Sequence, residues 1–170
     1  ITSRGCPYHC TYCHNPFLQD LYEGQGRYVR YRSIPGVIQE IKDALKRYPH
    51  IKEVAFSDDM FTAKQDRAKE LCKAYKDEIG LPFVCQTHVD FLDDEMIVAL
   101  KEAGCVRVNM GIEAGNEKIR FEILKRPVKR QKIVDVFRKC HDVGLSCGSY
   151  NILGSPVETE STIWETIDLN

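Results

Sequence analysis

The sequence predicts an α/β protein whose parallel strands form a partial (β/α) TIM-like barrel with helices outside, truncated at both ends. Segments with helical periodicity alternate along the chain with short apolar segments, which is the pattern of βαβ units. Polar residues follow the strand segments at their carboxyl ends, where such barrels place their sites. An open doubly wound sheet would instead concentrate function at one switch point. We therefore favour the barrel.

Length and composition restrict the classes of protein that are compatible with this chain. Its 170 residues are expected to form one domain. With 43% hydrophobic and 29% charged residues, the chain is neither disordered nor fibrous. A net charge of −1 argues against a nucleic-acid partner, and no apolar run approaches the roughly 20 residues of a membrane helix. Eight cysteines without a secretory signal favour reduced thiols and a cytoplasmic protein.

The first half of the chain contains three predicted strands and two predicted helices. A strand at residues 1–4 precedes a cysteine-rich loop. Helical periodicity then extends between Ser33, which suits an N-cap, and Pro49, which ends the helix. The other elements follow in order: a strand at 53–57, a helix at 63–79 and a strand at 83–88.

The second half continues the same alternation. A helix that begins near Asp93 ends at Gly104 and leads into a strand at 106–113, in which apolar and polar residues alternate. The remaining predicted elements are a helical region at 116–124 that breaks at Pro127, a helix at 129–143, a strand at 146–153 and a helix at 159–169. The count is five strands and nearly five helices, and both ends are expected to be cut from a longer protein.

The cysteine spacing is the most specific feature of the sequence. Cys6, Cys10 and Cys13 form a C-x3-C-x2-C pattern, whereas the other five cysteines fall singly in apolar segments. Structural zinc sites usually take two cysteine pairs far apart in sequence, and no second pair exists here. Ferredoxin-type carriers complete a cluster with a fourth cysteine. The pattern therefore favours an iron–sulfur site with one open iron, with zinc as the alternative.

With aromatic Tyr12 directly before the third cysteine, this motif resembles the C-x3-C-x-aromatic-C signature of the radical S-adenosylmethionine (SAM) superfamily. Other segments resemble, in the same order, members that often carry an N-terminal cobalamin-binding domain: residues 2–7 (TSRGCP), 28–30 (YVR), 56–61 (FSDDMF), 111–115 (GIEAG) and 153–159 (LGSPVET). The resemblance implies a partial or full (β/α) barrel. It also implies one radical SAM domain over residues 1–170, with the cluster loop at 4–16.

The resemblance also implies an activity. In this superfamily three cysteines hold a 4Fe–4S cluster, and SAM chelates the open iron through its amino and carboxylate groups. One electron cleaves SAM to methionine and a 5′-deoxyadenosyl radical, which abstracts a hydrogen atom. The implied protein is an enzyme of the methyltransferase or oxidoreductase type that forms part of cobalamin-dependent methyl transfer or ring formation. Its partners would be a small-molecule substrate, a reductant such as flavodoxin or ferredoxin, and cobalamin bound by a domain outside this chain.

A non-catalytic iron–sulfur or zinc-binding module is the alternative function. Such a module holds its metal centre for structure or for electron transfer, and a closed site with a fourth protein ligand suits both purposes. The missing fourth cysteine therefore favours the enzyme.

The resemblance assigns cofactor-binding roles to several further residues. Asp58 and Asp59 follow a strand where the family binds the amino group of methionine, often with a Gly-Gly-Glu loop that this sequence lacks. Either acid suits an ammonium partner, and the alternative is that both cap the next helix. Strand alternation points Glu113 into the barrel, where the family holds the ribose hydroxyls, against the alternative of a solvated loop acid.

Three residues complete the expected site. Tyr12 belongs to the cofactor-binding set as the aromatic residue of the cysteine motif. Ile152 lies near the end of the last predicted strand, where the family places an apolar side chain against adenine, and plain core packing is the alternative. His88 ends a predicted strand and has no assigned role, although its position suits a proton donor or a substrate contact.

Overall fold

A computed structural model describes the whole chain, Ile1–Asn170. None of its helices combines the length and the apolar character that crossing a membrane requires. The elements follow in the order β1 (Ser3–Arg4), α1 (Asn15–Leu21), β2 (Arg30–Tyr31), α2 (Ile34–Arg47), β3 (Val54–Phe56), α3 (Gln65–Glu78), β4 (Phe83–Thr87), α4 (Asp94–Glu102), β5 (Cys105–Glu113), α5 (Arg130–Asp142), β6 (Ser146–Asn151) and α6 (Glu160–Leu169).

Strands β3 to β6 form one parallel sheet in the order β3-β4-β5-β6, so that sheet order follows chain order. Each strand is joined to the next through a helix, as in a (β/α) barrel. The sheet does not close on itself. The predicted partial barrel is therefore confirmed, with helices α2 to α5 packed over one face of an open sheet and a hydrophobic core between the two layers.

The first strand differs from the prediction. β1 pairs antiparallel with β2, with Ser3 opposite Tyr31, so the parallel sheet has four strands rather than five. The contact to the main sheet runs through Asp58 instead, because its carboxylate accepts hydrogen bonds from the backbone N–H groups of Thr2 and Ser3. A segment of four residues is too short to reveal its pairing partner, so the sequence does not predict this arrangement.

The predicted helical region at 116–124 is also shorter than expected. Only Ile119–Ile123 is helical, as a single π-helical turn. Arg120 in this turn is completely buried, and its guanidinium donates hydrogen bonds to the carbonyls of Ala114, Gly115 and Val128. Carbonyl groups satisfy the Nε and Nη1 donors of this buried guanidinium, and its Nη2 lies 3.6 Å from the carboxylate of Glu117.

Candidate cofactor site

A cavity of about 200 Å³ lies at the carboxyl ends of the parallel strands, beside the loop that joins β1 to α1. The loop contributes all three motif cysteines, Cys6, Cys10 and Cys13, to its wall. The strand ends contribute polar side chains, among them Asp59, His88 and Glu113. The structure thus brings the cysteine motif and most of the polar residues singled out in the sequence to one place.

The cysteine loop is held in position by hydrogen bonds to its own backbone. The side-chain amide of Gln19 donates to the carbonyls of Cys6 and Tyr8, at 2.9 and 3.2 Å. On the other side, the backbone N–H of Thr11 donates to the carbonyl of Leu124 at 3.2 Å. These contacts fix the loop against α1 and the π-helical turn, with its thiols free and facing the cavity.

Glu113 lies at the end of β5, with 8% of its surface exposed, and lines the cavity. The register between β5 and β6 shifts between Gly111 and Glu113, and Glu113 adopts a positive φ of 70°. This left-handed conformation costs a non-glycine residue about 1–2 kcal/mol. A Cβ atom at Gly111 would collide with Oε1 of Glu113, so a side chain at this position would displace the carboxylate. Backbone strain and a glycine together direct the carboxylate into the cavity.

Arg126 is a cavity residue that the sequence does not reveal. Its guanidinium lines the cavity, donates to the carbonyl of Gly111 at 3.1 Å, and lies 3.4 Å from the hydroxyl of Tyr12 and 3.9 Å from Sγ of Cys10. Burial raises the pKa of Glu113, and the nearby guanidinium partly offsets this increase. In the sequence, Arg126 sits among loop lysines and arginines, and nothing distinguishes it from a solvated cation.

The two acids after β3 occupy different environments. Asp58 is completely buried, and its carboxylate accepts hydrogen bonds from the backbone and hydroxyl groups of Thr2 and Ser3. Asp59 is exposed, lines the cavity, and accepts a hydrogen bond from the backbone N–H of Gly5 at 3.0 Å. Asp58 therefore anchors the N-terminal strand, and Asp59 is the acid that faces the cavity.

His88 is almost completely buried in the cavity wall, where its ring stacks on Tyr8 at a centroid distance of 4.2 Å. Its Nδ1 accepts a hydrogen bond from the backbone N–H of Asp90 at 3.1 Å, which assigns the ring proton to Nε2. Burial lowers the pKa of His88 to about 3, with the charge of Arg126 as a second cause. The imidazole is therefore neutral, and its Nε2–H has no protein partner.

Ile152 lies just beyond β6 and is half-buried. Its backbone N–H donates to the carbonyl of Glu113 at 2.8 Å, which ties the two strand ends together. Its side chain is not among those that line the cavity. Of the expected cofactor-binding residues, Tyr12, Asp59 and Glu113 surround the cavity, whereas Asp58 and Ile152 lie outside its wall.

The fold and this site together define a class of protein: an open (β/α) barrel with a three-cysteine loop that faces a cavity at the strand ends. The chain belongs to the radical SAM superfamily, whose family model matches residues 1–169. A 4Fe–4S cluster and SAM are the cofactors of this family, and membership confirms an enzyme core over a non-catalytic metal module.

Two relatives are named as methyltransferases. The chain is 30% identical over 157 residues to cytidylyl-2-hydroxyethylphosphonate methyltransferase of Streptomyces wedmorensis, and 31% identical over 168 residues to an uncharacterized methyltransferase of Pyrococcus horikoshii. These alignments cover 91% and 98% of this chain but only 28% and 35% of the relatives. The chain therefore spans about a third of the length of the relatives it matches.

A solved structure shares the fold. The radical S-adenosylmethionine methyltransferase TsrM from Kitasatospora setae superposes with a TM-score of 0.81 at 20% identity, covering 98% of this chain and 30% of that one. That enzyme has been solved with cobalamin and a [4Fe-4S] cluster, and also with tryptophan as substrate and a SAM analogue. At this level of identity, the likeness shows the fold alone.

The donor set of the cavity fits a 4Fe–4S cluster. Three free thiols on one loop line one cavity, and the other five cysteines lie in or against the hydrophobic core. No group of three or more His, Cys, Asp or Glu side chains is arranged around the position of a single metal ion.

Proposed function

We propose that this chain is the catalytic core of a cobalamin-dependent radical SAM methyltransferase that acts on a small-molecule substrate. The observation that carries the proposal is the presence of three free thiols, an acid and a guanidinium around one cavity at the strand ends. The methyltransferase names of two relatives and the cobalamin in TsrM support it. Residues 1–170 would form the radical SAM domain, with the cluster loop at 4–16, and cobalamin would be bound elsewhere in the whole protein.

Cys6, Cys10 and Cys13 would hold three irons of the cluster and leave the fourth for SAM. When bound, the reduced cluster supplies one electron that cleaves SAM to methionine and a 5′-deoxyadenosyl radical. The protein's part is to bind and orient SAM and to keep water away from the reacting atoms. The burial or half-burial of the thiols serves the second purpose.

The charges of the cavity are complementary to the methionine part of SAM. Arg126 supplies a buried cation that suits the carboxylate, and Asp59 supplies an exposed carboxylate that suits the ammonium group. We assign the ammonium contact to Asp59 rather than Asp58, because the oxygens of Asp58 are already engaged by the N-terminal strand. Tyr12, hydrogen-bonded to Arg126, would orient the guanidinium.

Two further residues would contact the nucleoside part of SAM. Glu113 would accept hydrogen bonds from the ribose hydroxyls, because its carboxylate is held in the cavity wall by the strained end of β5. Ile152 is the candidate for packing against adenine, since its backbone is bonded to Glu113 directly beside that wall. The electron would come from a carrier such as flavodoxin or ferredoxin in the cytoplasm, where eight free cysteines stay reduced.

The proposed function is tested by product analysis. The whole protein that contains this chain, reconstituted anaerobically with iron, sulfide and cobalamin and given SAM, a reductant and the candidate substrate, is expected to form 5′-deoxyadenosine and S-adenosylhomocysteine. Neither product should form when the reductant is omitted. If 5′-deoxyadenosine forms without any methylated product, the protein cleaves SAM but does not transfer a methyl group. If SAM is not cleaved at all, the proposal as a whole is contradicted.

Glu113→Ala is expected to weaken SAM binding by about 1–3 kcal/mol, the usual cost of losing a hydrogen bond to a charged group. Isothermal titration of SAM into the cluster-loaded variant measures the dissociation constant. Glu122→Ala is the matched control, because Glu122 is an exposed acid outside the cavity and its loss should leave SAM affinity unchanged. Equal dissociation constants for the two variants would show that Glu113 does not contact SAM and is a loop acid.

A further inference from the structure

Asn15 is buried directly beside one cysteine of the motif, with 3% of its surface exposed. Its backbone N–H and its side-chain Nδ2 both donate to Sγ of Cys13, each at 3.5 Å. The hydroxyl of Tyr28 donates to Oδ1 of the same amide at 2.5 Å. Because a thiolate only accepts hydrogen bonds, this chain of contacts keeps the NH₂ end of the amide on the sulfur.

The three cysteine sulfurs differ in the hydrogen-bond donors that lie near them. The Cys6 sulfur lies 3.5 Å from the thioether sulfur of Met60, which has no hydrogen to donate, and the backbone N–H of Tyr8 is a donor to it. The Cys10 sulfur lies 3.9 Å from the guanidinium of Arg126, which is longer than the contacts at Cys13. Cys13 alone has two N–H groups at 3.5 Å.

We propose that Asn15, held by Tyr28, is a positioning residue that raises the reduction potential of the cluster through the sulfur of Cys13. The inference rests on the proposed function, because it requires a cluster on the three cysteines. Reduction adds one electron, taken from a carrier of the flavodoxin or ferredoxin class, and breaks no bond. The added negative charge spreads onto the ligand sulfurs, so N–H donors stabilise the reduced state more than the oxidised state.

Gln19 provides a control for a purely structural role. Its amide also lies against the cysteine loop, but it donates to the backbone carbonyls of Cys6 and Tyr8 and not to a sulfur. If an amide beside this loop acted only by holding the loop in shape, removal of Gln19 and removal of Asn15 would have similar effects. If the bond to sulfur matters, only the loss of Asn15 changes the potential.

The test compares Asn15→Leu, Tyr28→Phe and Gln19→Leu in the anaerobically reconstituted protein without SAM. Iron and sulfide analysis establishes loading, and a redox titration followed by electron paramagnetic resonance gives the midpoint potential. Asn15→Leu is expected to lower the equilibrium constant for reduction about tenfold, which is 59 mV for a one-electron couple. Tyr28→Phe should shift the potential in the same direction by less, and Gln19→Leu should leave it unchanged.

An unchanged potential in a fully loaded Asn15→Leu protein would overturn the inference, as would an equal shift in Gln19→Leu. Where Asn15→Leu loads too little iron, Tyr28→Phe carries the test, because it keeps the asparagine and removes only the group that orients it. A parental potential in that variant then overturns the inference. These outcomes leave the proposed function intact, whereas a parent protein that holds no 4Fe–4S cluster would contradict the proposed function itself.

Discussion

Anaerobically reconstituted Cys6→Ala protein is expected to hold almost no iron, whereas the parent protein should hold about four irons per chain. The cavity offers three thiols and no fourth cysteine, so the loss of one leaves two ligands for the whole cluster. Formation of 5′-deoxyadenosine should disappear with the iron. Iron and sulfide analysis, together with the visible absorbance of the cluster, measures the effect.

Cys72→Ala is the matched control for this experiment. Cys72 is buried in α3, away from the cavity, and burial raises the pKa of its thiol to about 12, so it remains protonated. A protonated thiol is not a metal ligand. The control variant should therefore retain its full iron content. A full complement of iron in Cys6→Ala would contradict the assignment of the cysteine loop as the cluster site.

Asp58→Ala is expected to cause the largest loss of stability. The carboxylate is completely buried and accepts hydrogen bonds from the backbone N–H groups of Thr2 and Ser3. Thr2 lies 56 residues before Asp58 in the chain, so these bonds join distant segments. Each buried donor left without a partner costs about 1–3 kcal/mol. A total of about 3 kcal/mol corresponds to a melting temperature lower by about 6–12 °C for a protein of this size.

Asp59→Ala is the control that distinguishes the loss of the Asp58 hydrogen bonds from the loss of a negative charge in this segment. Asp59 is the next residue in the chain, but it is exposed, and the one hydrogen bond it accepts is from the backbone N–H of Gly5. Its removal should change the free energy of unfolding by less than about 1 kcal/mol and should instead weaken SAM binding. Thermal unfolding followed by circular dichroism compares the two variants. Equal melting temperatures would show that Asp58 does not anchor the N-terminal strand.

Much of the fold follows from local patterns. Predicted strands at 83–88 and 106–113 correspond to Phe83–Thr87 and Cys105–Glu113, and the predicted helices at 63–79 and 129–143 correspond to Gln65–Glu78 and Arg130–Asp142. These elements are predictable because side-chain periodicity is a property of consecutive residues. The same alternation predicts that Glu113 points into the barrel, and its side chain does lie in the cavity wall. Its direction, however, is set by the register shift and the positive φ at the end of β5, which alternation does not predict.

Other parts of the site depend on residues far apart in the chain. Arg126 lines the cavity from a loop that is hydrogen-bonded to the buried Arg120, and its own backbone N–H donates to the carbonyl of Arg120 at 2.8 Å. No local pattern marks either arginine. The antiparallel pairing of β1 with β2 cannot be predicted from the sequence for a related reason. Two-residue strands carry too little periodicity to identify a partner that lies 26 residues away or more.

The sequence by itself determined the parallel α/β architecture, the cysteine loop and the superfamily. These features depend on the spacing of cysteines and the periodicity of apolar residues, which are properties of residues close together in the chain. The tertiary structure alone decided which of two adjacent acids faces the cavity. Asp58 and Asp59 are identical in chemistry, but one is engaged by the N-terminal strand and the other is exposed to the site. That difference arises from burial and hydrogen-bond partners contributed by distant segments, which exist only once the chain has folded.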